Sequence, residues 1–436
     1  MPPTDAWGGA NASAQFAAIV ISRHPGLKPG SFVRKRLQEA VDEGNPNAEW
    51  LLASQEILIE KHYGRLREKT MAALYHAAKA GLPGAQNMLA VHLWALEKKD
   101  EARKWFASAA DLGDVDSQRW LASAFESGVD MPADSEKARH WHTKAANNGN
   151  VDSMLWLADY YERQPPETET RHQISGWLRS ATVFGSVDAA IRLADLLKAG
   201  GDGIDGEPTE AEMLYRAAID RHARADARRG LASLLFGTEG VEKNVEEARK
   251  LLSVDAEKGD SDSQLALGKH LLRGDFGPEK SGAREWLVKA ADSGNAKART
   301  ELGMLLYYDS DGLGRDAKAG ISRTESAAAM DHRTARNNLA WMLCTTDVVA
   351  LRDAQRGLGV AKLLNEEVAN GAPAWLDTLA ACHAATGDFD QAVRLEQQVV
   401  DTLTERQPDN RDIPQFIERI QQYREGKPYI ETVPSK

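Results

Sequence analysis

A leucine followed by alanine or glycine recurs ten times along this chain at a nearly fixed interval. The leucines are Leu52, Leu89, Leu121, Leu157, Leu193, Leu231, Leu267, Leu302, Leu339 and Leu379, separated by 37, 32, 36, 36, 38, 36, 35, 37 and 40 residues. A second landmark follows the first. Gly81, Gly113, Gly149, Gly185, Gly259 and Gly294 close the segments AAKAG, AADLG, AANNG, ATVFG, AEKG and AADSG. A period near 36 with two landmarks calls for two short helices per unit, neither able to bury its apolar stripe alone. Stacking successive units supplies the missing core. The small residue after each leucine lets helix backbones approach closely, and each closing glycine suits the left-handed residue that ends a second helix. The fold class that follows is all-α, a right-handed superhelical solenoid of about ten helix–turn–helix repeats.

Residue usage agrees with this. The 436 residues include only 16 prolines and 9 phenylalanines, and alternating β-branched runs are scarce, which suits helices rather than strands. A formal net charge of −11 sets the surface against nucleic acid and anionic lipid as broad partners. No stretch approaches the roughly 20 apolar residues that span a bilayer, so no membrane insertion is expected. The N-terminal sequence has no basic residue ahead of its short apolar run Phe16–Ile21, hence no signal-peptide n-region, and a cytoplasmic location is expected. An export signal upstream of Met1 would make it periplasmic instead.

Trp105, Trp141, Trp177 and Trp286 each stand eight residues before a closing glycine. That fixed offset puts one large ring on the same face of each second helix, and regular spacing points to packing rather than to a ligand cage. The strings DSQRWLASAFESGVDMPADSEKARHWHTKAANNGNVD (Asp116–Asp152) and DSQLALGKHLLRGDFGPEKSGAREWLVKAADSGNAKA (Asp262–Ala298) show the unit most fully. They resemble Sel-one-like repeats, whose pattern is a leucine–glycine pair, a glycine-bearing loop, a KA-x-x-W segment, an AA pair and a closing glycine. Lys137–Ala138–Arg139–His140–Trp141 and Ala283–Arg284–Glu285–Trp286 carry the middle of it. The resemblance runs from Asn47 to Ala335. It weakens at Gln164–Thr170, which holds two prolines, at the glycine-rich Gly200–Pro208, and near His222, where the closing glycine is missing.

Further on, Trp375–Leu376–Asp377–Thr378–Leu379–Ala380 and Gly387–Asp388–Phe389–Asp390–Gln391–Ala392–Val393 are similar to tetratricopeptide repeats. The expected division is residues 1–46, a disordered stretch (Met1–Asn11) and capping helices (the first at Ala12–Arg23); 47–335, Sel-one-like repeats; 336–404, tetratricopeptide-like repeats; and 405–436, a capping helix (Ile413–Glu425) with a frayed tail. Cys344 and Cys382 lie about one repeat apart. Two buried thiols on neighbouring helices is the plain reading, with a single disulfide or a redox role as the alternative.

The chemistry-bearing motifs are few. His140 and His142 in HWHTK point about 200° apart on a helix and cannot chelate one ion. The acidic loops Gly200–Glu207 and Asp309–Gly314 lack the ligand spacing of an EF-hand and fall where inter-helix loops belong. No GxSxG, Walker A, HExxH or CxxC pattern occurs. No catalytic residue, metal ligand or cofactor is expected. What remains is the concave wall lined by the first helix of each unit. By analogy with tetratricopeptide proteins, residues two before, two after and five after each repeat leucine face it. These are Asn87, Arg119, Arg229 and Asn337, then Asp159, Asp195, Lys269 and Trp341, then Trp94, Glu126 and Tyr307. Rings, arginines and carboxylates in that mixture suit a protein or peptide ligand. The expected function is therefore a non-enzymatic scaffold or adaptor. Two alternatives stay open: an envelope-associated assembly or carbohydrate- or peptidoglycan-binding factor, and a hydrolase with its site in the groove.

Overall fold

A computed structural model describes residues 32–60, 68–129, 131–165, 167–201, 204, 207–277, 282–309, 314–366, 372–407 and 409–433. The expected disordered stretch Met1–Asn11, the helix at Ala12–Arg23 and the middles of both acidic loops lie outside these residues. The described residues hold 22 α-helices. The chain divides into two compact units, one through Gly206 and one from Glu207.

In the first unit, α1 (Phe32–Asp42) precedes four hairpins: α2 (Pro46–Glu60) with α3 (Glu68–Lys79), α4 (Pro83–Ala95) with α5 (Lys99–Asp111), α6 (Val115–Ser127) with α7 (Ser135–Asn147), and α8 (Val151–Glu162) with α9 (Thr168–Val183). Helix α10 (Val187–Ala199) follows. The second unit opens with α11 (Pro208–His222) and continues in five hairpins. These are α12 (Ala225–Leu235) with α13 (Val245–Ala256), α14 (Ser261–Arg273) with α15 (Ala283–Asp292), α16 (Ala296–Tyr308) with α17 (Ala317–Ala328), α18 (Arg333–Thr345) with α19 (Ala354–Glu366), and α20 (Pro373–Ala385) with α21 (Phe389–Arg406). Helix α22 (Ile413–Arg424) comes last.

The two sequence landmarks act as the spacing implied. The repeat leucines from Leu89 onward are buried, as are the small residues after them. At Gly320 of α17 a Cβ would sit 2.8 Å from the carbonyl oxygen of Gly303 in α16, so any side chain there forces the hairpin apart. All six closing glycines have positive φ, between 84° and 93°. Where the glycine is missing, the geometry is kept at a cost: Ala223 ends α11 in the left-handed region at φ 49°. Several first helices start on a side-chain cap: Asp114, Asn150, Ser186, Asp260 and Asn295 each accept from the backbone N–H three residues on. The proline-bearing departure at Gln164–Thr170 still leads into a full hairpin, because Pro165 falls between α8 and α9.

Two expectations are corrected here. Cys344 and Cys382 are not free thiols but a disulfide, with Cα atoms 5.1 Å apart. A separation of 38 residues is one repeat, which places them on the adjacent first helices α18 and α20. The tail after α22 is not frayed as far as Val433. Residues from Lys427 leave the helix, and Glu431 forms an isolated parallel bridge with Thr346, its N–H donating to the Thr345 carbonyl at 2.8 Å.

Candidate functional site

The first-helix face carries the residues singled out from the sequence, but mostly as partners of one another. Asn87 Nδ2 donates to Ser117 Oγ at 2.7 Å, one first helix further on. Arg119 pairs with Asp152 at 3.9 Å, Asp159 with Arg192 at 2.6 Å, Arg229 with Asp260 at 2.7 Å and Lys269 with Glu301 at 2.5 Å. Every one of these partners lies 30 to 33 residues away along the chain, in or at the cap of the next first helix of the same unit. Glu126 accepts from the indole N–H of Trp156 at 2.8 Å across the same step. The ring of Trp94 meets that of Trp120 edge-on, 5.1 Å between centroids, with Lys99 above it at 5.0 Å. Asp195 pairs within its own helix, with Lys198 at 3.1 Å. Within each unit most of these residues therefore form a ladder that ties one repeat to the next.

Tyr307 is a correction. It is fully buried rather than facing a groove, because the phenol packs in the α16–α17 core with Arg315 against its ring at 5.2 Å. Its neighbour Tyr308 is half-buried, and its hydroxyl is the one that reaches the tail. Asn337 is half-buried, and its carbonyl oxygen is enclosed without a hydrogen-bond partner.

Trp341 is where a second pattern appears. Its indole N–H donates to Glu431 Oε2 at 2.9 Å, and the hydroxyl of Tyr308 donates to the same oxygen at 2.8 Å. Burial and the Glu431 carboxylate push the Tyr308 phenol well above its ordinary range, so it stays a donor. Tyr429 lies 5.7 Å from the Trp341 ring, and the guanidinium of Arg419 sits over Tyr429 at 4.5 Å and over Trp341 at 5.1 Å. Val433 packs on the cluster of Tyr307, Leu339 and Leu343. Arg315 holds Asp347 through two bonds of 2.8 and 3.0 Å, which keeps that carboxyl below its usual range. The ends of α16 and α18 thus form a seat for an extended strand, and the chain's own tail sits in it. Of the sequence candidates only Trp341 belongs to this seat. Tyr308, Asp347, Arg419 and Glu431 were not singled out, although the alternation Tyr429–Ile430–Glu431–Thr432–Val433, rich in β-formers, is a legible strand signal.

Beneath the seat, Arg419 pairs with Asp377 and stands 3.7 Å from Glu396, which is fully buried. Burial, with Asp377 beside it, pushes the Glu396 carboxyl up to about 9, so it is protonated at neutral pH. The side chains of Arg419 and Asp377 are also largely buried. The histidine pair behaves as its spacing implied: His140 is exposed, and His142 is buried, stacked on Trp156 with centroids 4.0 Å apart. Among the described residues no group of three or more His, Cys, Asp and Glu stands together to hold a metal ion, and no helix is long and apolar enough to cross a membrane.

Comparison with known proteins places this architecture. The Sel1 repeat family matches residues 83–114, 115–150, 187–222, 225–260, 261–295 and 296–332. The interval it leaves, residues 151–186, contains the proline-bearing departure noted above. No curated protein matches the chain. Among solved structures, a protective antigen of uropathogenic Escherichia coli displaying an SLR fold is similar over 96% of this chain and 92% of its own, with 24% identity and a TM-score of 0.60. A Sel1 repeat protein from Oxalobacter formigenes is similar over 76% of this chain and 94% of its own, with 22% identity and a TM-score of 0.48.

Proposed function

The chain is a Sel1-repeat protein, and from that premise we propose a non-enzymatic scaffold that binds a protein partner through an extended segment laid on its first-helix face. Repeats of this kind commonly mediate protein–protein interaction and are typically non-catalytic. One observation carries the reading for this chain: Tyr308, Trp341 and the backbone at Thr345 hold a strand by side-chain and main-chain bonds together. The main-chain contact is a single bridge at the end of a helix, and like other modes of peptide recognition it joins a backbone bond to selective side-chain bonds. The test is selection of displayed random peptides on the Glu431→Ala chain, whose own tail has lost its carboxylate. Recovered peptides should share an acidic residue with apolar neighbours two positions away. Replacing Trp341 with alanine as well should weaken them by about tenfold, the worth of a charge-assisted bond. Peptides without such a consensus, or indifferent to Trp341→Ala, would sink the proposal.

The envelope-associated alternative gains support from the Cys344–Cys382 disulfide, because such bonds persist in oxidising compartments. Alkylation of the protein in its native host before lysis, followed by intact mass, decides it. A chain without free thiols supports export, and two alkylated cysteines restore the cytoplasmic reading.

A further inference from the structure

We infer that Tyr429–Val433 is a tethered ligand of the seat on α16 and α18, and that an external strand with an aromatic, a glutamate and a branched apolar residue at alternate positions binds by displacing it. The inference rests on the peptide-binding reading above and adds what the site recognises and how it is kept closed. The tail sits as a ligand strand would. Tyr429, Ile430, Glu431 and Val433 are half-buried and Thr432 is exposed. Three of them have their own counterparts: Arg419 for the ring, Tyr308 and Trp341 for the carboxylate, and the cluster of Tyr307, Leu339 and Leu343 for Val433. None of these contacts uses the covalent link to α22, so a strand of the same chemistry on another molecule meets the same groups.

The link itself is short and exposed. Gly426, at φ 70°, turns the chain out of α22, and Lys427 and Pro428 lead to the seat. A short tether gives an effective concentration on the order of millimolar. An external peptide with an intrinsic Kd of tens of micromolar would then be weakened by roughly tenfold to a hundredfold while the tail is seated.

The probe is the synthetic peptide GKPYIETVPSK, fluorescently labelled and titrated by anisotropy against the full wild-type chain and the full Glu431→Ala chain. Binding should be about tenfold tighter, or more, to Glu431→Ala, and a peptide with glutamine in place of its glutamate should lose that gain. Equal binding to both chains overturns the tethered-ligand inference and leaves the peptide seat standing. Binding to neither, with Glu431→Ala shown folded by its melting transition, removes the seat as well. Should that variant fail to fold, the wild-type chain decides the matter by nuclear magnetic resonance. Excess unlabelled peptide must then speed hydrogen exchange of the Glu431 amide, which the Thr345 carbonyl otherwise protects. Unchanged protection overturns the inference.

Discussion

Two tryptophans on the first-helix face make the same hydrogen bond in different company. In the first unit the Trp156 indole donates to Glu126, 30 residues away in the preceding repeat. In the second, the Trp341 indole donates to Glu431, 90 residues away in the tail. The first contact is periodic and closes one repeat onto its neighbour. The second lies outside the period and uses the same donor to hold a segment that belongs to no repeat. A face that stitches repeats together in one region accepts a strand in the other because its partner carboxylate there arrives from elsewhere.

The largest expected effect tests the foundation of the second arrangement. Arg419 ties Asp377 to the stack of Trp341 and Tyr429. Replacing it with methionine leaves buried acids without their cation, which should cost about 3–5 kcal/mol in urea unfolding. The tail should loosen with it, seen as faster exchange of the Glu431 amide. A loss below about 1 kcal/mol would mean that protonated Glu396 alone can satisfy Asp377.

The contrast also explains what the sequence made legible. The leucine pairs and closing glycines imposed helices, caps and hairpins because each landmark acts within one unit or on its neighbour. Even the missing glycine near His222 was visible, and Ala223 takes over its conformation. The period chose positions on the first helices, but it could not say that Arg229 or Lys269 would pair with the next repeat. Tyr307 and Tyr308 are adjacent, and a fixed offset from Leu302 selected the buried one. The tail clasp left no periodic trace, since Tyr308 and Glu431 are 123 residues apart.

A smaller effect tests the first region and depends on pH. Burial pushes the His142 imidazole down to about 4, against an ordinary value near 6.5, so the folded chain holds it neutral. Its contribution is complete above about pH 6.5 and is lost as pH falls towards 4, because the unfolded chain takes up the proton first. At pH 5 the loss is about 2 kcal/mol. His142→Phe keeps a ring on Trp156 and removes the titration, so its melting temperature should fall less between pH 7 and pH 5 than that of the parent. Parallel curves for the two chains would show that His142 is not what makes the first region sensitive to acid.

The smallest effect, a difference of about 1–2 kcal/mol between two couplings, addresses the comparison directly. Double-mutant cycles on the two indole–glutamate pairs, Glu126→Gln with Trp156→Phe and Glu431→Gln with Trp341→Phe, isolate each bond from its surroundings. Glu126 is exposed and its bond competes with water, so the first coupling should be about 0.5–1 kcal/mol. Glu431 is half-buried and accepts from Tyr308 as well, so the second should reach about 1.5–3 kcal/mol. Tyr308→Phe should then reduce the second coupling and leave the first untouched. Equal couplings would mean that both glutamates serve one structural role, and that the tail is the last rung of the repeat ladder and not a strand held in a seat.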